Sequence, residues 1–273
     1  MSTFASERKS AGKHLHGEKQ HLFSDEHLGF TDEYFQSCLS PQAYNDLLNY
    51  PYGEPNYKWL EKLKRTDQSA YRNLELIRSN AQTVMGMRTL YHIQEKSFPY
   101  LLRMSTTRAP INYLGQAQGG GGKTIAFVLG MLINTNKENS QTQSLCLGLT
   151  RELAFQIYKD ALEPLSRGME FRTKLLLPGM DIHREDTTPY QIIIGSPGKV
   201  ESYVTDGRID LRHLQTFVVD EADEVGLQGG ALADSVVKIK KFIPDTCQYL
   251  MFSATFTEEI KKYIYTVIYF CHY

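Results

Sequence analysis

The sequence is short of several things, and each shortage closes a class of function. Only four cysteines occur in 273 residues (Cys38, Cys146, Cys247 and Cys271), and no two of them form a CxxC pair. That spacing excludes a zinc ribbon and a disulfide-built scaffold, and it fits a reducing compartment. No charge of one sign dominates, since 30 Lys and Arg stand against 31 Asp and Glu for a formal net charge of -1. A coat protein that holds nucleic acid through a global basic field is thereby excluded, so any phosphate-binding surface is a local patch. No apolar run approaches the ~20 residues of a spanning helix. The opening MSTFASERKSAGKHLHGEKQ carries charge where a secretory signal is apolar. The chain reads as soluble and intracellular, with no membrane partner. Internal repeats and low-complexity tracts are lacking as well.

What is present is enough apolar residue, 41% of the chain, for one substantial core plus an extension. Residues 1–65 are rich in His, Lys, Glu, Tyr and turn formers and hold neither a 2 nor a 3.6 period for long. They read as a partly disordered N-terminal arm, whose irregularly spaced His14, His16, His21 and His27 are solvated rather than metal ligands. From about Tyr71 the pattern changes. Tyr71, Leu74, Leu76 and Ile77 predict an amphipathic helix, after which short apolar runs alternate with helical stretches. The runs are Ile111–Leu114, Ser144–Leu149, Thr173–Leu177, Gln191–Ile194, Thr216–Val219 and Gln248–Phe252; Lys123–Ile133 and Arg151–Leu165 have helical length and period. Alternation of this kind predicts an α/β domain over residues 66–273, a mostly parallel sheet with helices on both faces. In such sheets ligands bind beyond the carboxyl ends of the strands, so the loops there carry the chemistry.

Three loops do. The first, Gly115-Gln-Ala-Gln-Gly-Gly-Gly-Gly-Lys-Thr124, leads from a strand into an apolar helix. A triphosphate needs close backbone N–H groups, a helix N-terminus, a mobile cation and a hydroxyl for Mg²⁺. Ala117, Gly120, Gly121, Gly122, Lys123 and Thr124 supply these in order, as a variant P-loop. The second, Thr216-Phe-Val-Val-Asp-Glu-Ala-Asp223, brings two adjacent carboxylates to a strand end. Strand alternation gives them different tasks: Asp220 to hold hydrated Mg²⁺, and Glu221 to orient or deprotonate the attacking water. The third, Phe252-Ser-Ala-Thr-Phe256, places Ser253, Ala254 and Thr255 where their hydroxyls can bond the acidic loop and relay nucleotide state, although such residues also cap helices.

Together these loops make the chain resemble the DEAD-box family of ATP-dependent RNA helicases, specifically the first of its two RecA-like domains. Asp220-Glu-Ala-Asp223 spells the family's name. Thr150-Arg-Glu-Leu-Ala154 is similar to its PTRELA segment, Gly195-Ser-Pro-Gly-Lys199 to its TPGR segment, and Ser253-Ala-Thr255 is its SAT segment. Gly86-Met-Arg-Thr-Leu-Tyr-His-Ile-Gln94 has the spacing of its Q motif. The resemblance implies a RecA-like P-loop NTPase fold, ATP and Mg²⁺ as cofactors, and an RNA backbone lying across Thr150, Arg151, Gly179, Ser196, Pro197, Gly198 and Lys199. It also makes Gln94 the adenine reader and Lys123, Asp220 and Glu221 the catalytic set. The stretches after Gly122, from Gln143 and from Asp245 look most like the nuclear-pore mRNA-export branch, which implies nuclear-pore or mRNP partners and a cytoplasmic or nuclear location.

The departures carry expectations too. Gly119 and Gly121 stand where the family places Ser or Thr. Each added glycine raises the entropy lost on ordering the loop by about 0.5–1 kcal/mol, so weakened nucleotide binding is expected. Leu149 replaces the proline of PTRELA, a single Gly179 replaces a GG pair, and Lys199 replaces an arginine, keeping the charge without the bidentate fork. Tyr71 is offset by about two residues from the aromatic that stacks on adenine. Arg151, at a helix start where positive charge is unfavourable, either meets an anionic partner or pairs with Glu152 or Asp160. The second RecA-like domain, with its arginine fingers worth about 10³–10⁵ in rate, is absent from the 273 residues. Unwinding by these residues alone is not expected. The aromatic tail from Tyr263 reads either as an ordinary edge helix or, the reading favoured here, as the product of a truncated gene or read-through, since such a tail is expected to expose apolar surface. The rival function is a non-catalytic, degenerate helicase half that serves as an interaction module at the pore or on an mRNP.

Overall fold

The computed structural model describes residues 68–87, 91, 93, 94, 97, 101 and 112–264, except 184, 185, 229, 256, 258, 261 and 262. The arm expected over 1–65 lies outside the described residues.

Six short strands form one parallel sheet: β1 Tyr113–Gln116, β2 Ser144–Leu147, β3 Thr173–Leu176, β4 Ile192–Gly195, β5 Thr216–Val219 and β6 Gln248–Ser253. Their spatial order is β1-β6-β5-β2-β4-β3. β2 to β5 match the expected runs to within two residues at either end, while β1 begins and ends two residues later than Ile111–Leu114, and Ile111 itself is outside the described residues.

Continuous apolarity has the expected cause. On β2, Cys146 packs on one side of the sheet while Leu145 and Leu147 pack on the other; on β5, Val218 opposes Phe217 and Val219; on β6, Leu250 and Phe252 oppose Tyr249 and Met251. Each strand therefore feeds two cores, and alternation leaves no face for polar residues. The first core is closed by α1 Gln68–Thr83, α2 Lys123–Asn134 and α3 Arg151–Leu165, and the second by α4 Pro197–Thr205, α5 Ala222–Gln228 and α6 Gly230–Lys240. The Phe127 and Phe252 rings meet at 5.3 Å in the first core. Truncating either to alanine costs about 3–5 kcal/mol.

α3 begins at Arg151–Gln156, continues as a π-helical stretch Ile157–Leu162 and ends in Glu163–Leu165. The expected single helix thus carries a widened turn that the periodicity of its apolar residues does not reveal. α1 is held by side-chain amides: Asn80 Nδ2 donates to the carbonyls of Leu165 and Arg167, both at 2.8 Å, and Asn73 Nδ2 donates to that of Thr135 at 3.3 Å. Tyr71 packs against the first core from α1.

At the far end, Ile260 and Ile264 are buried in the second core and the Tyr263 hydroxyl donates to Ala233 O at 3.3 Å. Tyr263 and Ile264, the first two residues of the aromatic tail, thus pack on the second core. Residues 265–273 lie outside the described residues. Among the described residues no helix is long and apolar enough to cross a membrane.

Candidate nucleotide and RNA site

Because all six strands run the same way, the strand order sorts the loops at their carboxyl ends. Those after β1, β6 and β5 stand together on one half of the edge, and those after β2, β4 and β3 on the other. The first group holds the glycine loop, Ser253–Thr255 and Asp220–Asp223. The second holds Thr150–Arg151, Ser196–Lys199 and Gly179.

The glycine loop turns through two left-handed residues, Gly120 at φ 75° and Gly122 at φ 87°, before α2 starts at Lys123. Only glycine adopts such angles without strain. A Cβ on Gly122 would also fall 2.6 Å from Gln94 Nε2. That close approach is used: Gln94 Nε2 donates to Gly122 O at 3.1 Å, and Gln94 Oε1 accepts from Tyr91 N at 2.9 Å. Gln94 is fully buried, so here its amide braces the glycine loop from behind. Tyr91, exposed beside the same loop, is an aromatic that the motif's spacing did not single out. The Lys123 ammonium donates to Ala117 O at 2.6 Å, across the hollow of the loop. Thr124 is partly exposed in the first turn of α2.

Asp220, at the end of β5, is 3% exposed. Burial pushes its carboxyl up to about 6 against the Glu221 N–H bond and the Lys123 charge, which pull it down, while Glu221 and Asp223 add to the rise. Glu221 N donates to Asp220 Oδ1 at 3.0 Å. Glu221 itself is exposed and sits at φ 55°, a left-handed backbone that costs a residue with a side chain about 1–2 kcal/mol. The turn holds the two carboxylates apart, one buried toward Lys123 and the other facing solvent. Strain held at such a position is characteristic of a working site.

Asp223 joins the acidic loop to the third one. Its Oδ2 accepts the Thr255 N–H at 3.2 Å and the Thr255 hydroxyl at 3.0 Å. Burial, the largest single influence, pushes its carboxyl up, but the Ser253 and Thr255 hydroxyls and the backbone N–H donors together outweigh it and hold the carboxyl below the usual range. Ser253 Oγ in turn accepts from Thr255 N at 3.0 Å. The Ser253 carbonyl accepts from Ala117 N at 3.1 Å and the Ala254 carbonyl from Gln116 Nε2 at 3.3 Å. Glycine loop, Ser253–Thr255 and acidic loop are therefore one hydrogen-bonded unit. The bonding of these hydroxyls to the acidic loop was legible in the sequence; Asp223 as the acceptor was not singled out.

On the other half, Thr150 caps α3 by accepting from Leu153 N at 3.0 Å. Arg151 is exposed and, among the described residues, makes no ion pair with Glu152 or Asp160. Gly179, at φ 85°, is exposed in the tight turn closed by Met180 N donating to Leu177 O at 2.8 Å. Ser196 precedes α4 with Pro197 in the first turn, and its hydroxyl makes no cap bond. Gly198 is exposed. Lys199 is not free: its ammonium lies 2.5 Å from Asp181 Oδ1, a partner the sequence did not reveal.

This edge fits a nucleoside triphosphate with a divalent cation. Backbone around Gly119 and Gly120 is open where a phosphate would lie, Lys123 is near, and the buried Asp220 charge lacks a full counter-charge. Among the described residues no group of three His, Cys, Asp or Glu forms a metal cage.

The geometry agrees with the relatives. A model of the DEAD/DEAH box helicase family matches residues 91–263, more than half of the chain, and the chain belongs to that family. ATP-dependent RNA helicase DBP5 of Kluyveromyces lactis is 35% identical over 176 residues, 64% of this chain and 36% of the relative. The Schizosaccharomyces pombe dbp5 helicase is 37% identical over 171 residues, 63% of this chain and 33% of the relative. A solved structure of S. cerevisiae Dbp5 bound to RNA and ADP BeF3 aligns with a TM-score of 0.64 at 30% identity, over 71% of this chain and 47% of that one. Another, of a Dbp5 variant bound to Nup159, Gle1, IP6 and ADP, aligns with a TM-score of 0.64 at 29% identity over 71% of this chain and 50% of that one. The likeness to Dbp5 helicases is thus carried by both sequence and structure. The chain spans about a third of the length of the curated relatives it matches.

Proposed function

We propose that this chain is the nucleotide- and RNA-binding half of a DEAD-box RNA helicase, taking Mg·ATP at the glycine loop and an RNA backbone across the loops after β2, β3 and β4. The observation that carries the reading is the buried Asp220 held beside Lys123, a carboxylate kept charged at neutral pH at a cost that a bound cation would offset. Backbone N–H groups around Gly120–Gly122 and the Lys123 ammonium hold the phosphates once Lys123 leaves Ala117 O. Thr124 and Asp220 hold Mg²⁺, which when bound neutralises charge on the phosphates. Glu221, exposed and fixed by its backbone turn, orients the attacking water and accepts its proton. Gln94 keeps the loop in shape; reading adenine requires its amide to turn out from burial. Asp223 and Thr255 pass the state of the nucleotide to the strand ends that meet RNA. Thr150, Arg151, Gly179 and the Ser196–Lys199 turn grip RNA through phosphates, which position without reading sequence.

By likeness to Dbp5 bound to Nup159 and Gle1, the partners are nuclear-pore and mRNP proteins, and the location is the cytoplasm and nucleus at the pore. The 273 residues by themselves are expected to bind without separating a duplex. Calorimetric titration of Mg·ATP into the chain, beside a Lys123→Ala variant, tests the proposal. Saturable binding that disappears in the variant is expected. No binding to the parent chain would sink the reading and favour a non-catalytic interaction module.

A further inference from the structure

Lys199 begins α4 with its charge already answered, and the answering group comes from the loop after β3. Asp181, two residues beyond Gly179, brings Oδ1 to 2.5 Å from Lys199 Nζ, and the same oxygen accepts the Tyr203 hydroxyl at 2.5 Å. Lys199 Nζ also lies 4.9 Å from the centre of the Tyr203 ring. The rest of Asp181 is fixed as well, because Lys174 Nζ donates to its carbonyl at 2.8 Å. Arg208, stacked 4.1 Å from the Tyr203 ring, anchors the next residue by donating to Ile182 O. The side chain of Asp181 is 54% exposed and that of Lys199 only 22%, so the carboxylate is the more solvent-exposed partner of the pair.

We propose that Asp181 is an internal stand-in for an RNA phosphate, occupying Lys199 until RNA displaces it and so setting the affinity of this half of the groove. The inference rests on the reading above that the Ser196–Lys199 turn meets RNA. A carboxylate and a phosphate oxygen compete for the same ammonium, and both cannot hold it at hydrogen-bond distance. Each partner tunes the other: Lys199 depresses the Asp181 carboxyl, with help from Tyr203, and Asp181 raises the Lys199 ammonium. A half-exposed ion pair is weak enough for RNA to open it, which makes it a brake rather than a block. Displaced, Asp181 stays near the backbone as a negative charge, so its presence weakens binding twice.

The test is the affinity of the full chain for a fluorescent single-stranded oligouridylate, with Mg²⁺ and a non-hydrolysable ATP analogue, over a range of salt. Asp181→Asn is expected to tighten binding about 2- to 5-fold and to steepen the log–log salt dependence by about 0.7. Lys199→Ala placed on top of Asp181→Asn should remove both gains. Unchanged or weaker binding by Asp181→Asn, or a gain that survives Lys199→Ala, overturns the proposal while leaving RNA binding intact. Asp181→Ser, with thermal melting of each variant, separates these results from misfolding. If the parent chain and every variant bind no RNA at low salt, the RNA reading fails and the brake fails with it.

Discussion

Thr255 delivers its backbone N–H and its hydroxyl to a single oxygen of Asp223, at 3.2 and 3.0 Å, and so ties the end of β6 to the acidic turn after β5. Two donors on one carboxylate of low exposure make a joint that either holds or fails as a whole.

Removing the acceptor should therefore cost more than a surface carboxylate does. Asp223→Ala removes the acceptor of the Thr255 hydroxyl and leaves Thr255 N with Ser253 Oγ alone, and is expected to lower stability by about 1–3 kcal/mol at pH 7. The Asp223 carboxyl is depressed in the folded chain, so its contribution is present above the unfolded value near 3.9 and is lost as pH falls through the folded value. Urea midpoints of the two proteins should thus stand apart at pH 7 and converge toward pH 3. A gap that persists in acid would point to lost packing instead.

Asp220 has the opposite sign. Its folded carboxyl titrates at about 6 against 3.8 unfolded, so the folded chain holds the proton more tightly. The resulting penalty is absent below pH 4, grows between pH 4 and 6, and is complete above, where it amounts to about 3 kcal/mol. Asp220→Asn keeps an acceptor for Glu221 N and removes the charge. The variant should be more stable than the parent at pH 7, equally stable near pH 3.5, and unable to bind Mg·ATP. Thermal melts across that pH range decide it; equal stability at pH 7 would show that the buried charge is already compensated.

The four consecutive glycines are not equivalent. A Cβ on Gly119 meets nothing within 4 Å and its backbone is of the ordinary hand, whereas one on Gly121 meets Gln118 O at 2.9 Å. Gly119→Ser should stiffen the free loop without strain and tighten ATP binding by about 2- to 5-fold, equivalent to 0.4–1 kcal/mol. Gly121→Ser must move the loop backbone and should gain less or lose. Gly122→Ala, left-handed and 2.6 Å from Gln94 Nε2, should abolish binding and destabilise the fold. Calorimetry on the three variants ranks them.

The strands were readable because burial on both faces writes itself as unbroken apolarity: Thr216–Val219 is where the run says it is. The placement of the loops was readable because those carrying Lys123, Asp220 and Ser253 each follow such a run. Strand order was not, since nothing in the residues says that β5 and β6 fill the space between β1 and β2. Nor was the pairing of Lys199, because Asp181 reaches it across a turn whose path depends on Gly179 and the Tyr203 ring. The π-helical stretch Ile157–Leu162 was hidden for a related reason, as one added residue per turn leaves the same apolar side chains buried.

Gln94 separates two roles that the motif alone cannot. Its amide is fully buried, with Oε1 on Tyr91 N and Nε2 on Gly122 O, so in this conformation it supports the loop rather than touching a base. Gln94→Ala leaves Tyr91 N unpaired and Gly122 O with only its helix bond from Ala126 N, and should weaken every nucleoside triphosphate through the loop, by roughly tenfold for a loss near 1.4 kcal/mol. ATP and GTP should fall by similar factors. Gln94→Glu, whose ionised carboxylate cannot donate to Gly122 O, should do no better than alanine despite its matching shape. Paired ATP and GTP titrations of both variants read the outcome directly. A loss confined to ATP would mean that the amide swings out to the adenine edge on binding, and that the brace seen here is released as the nucleotide enters.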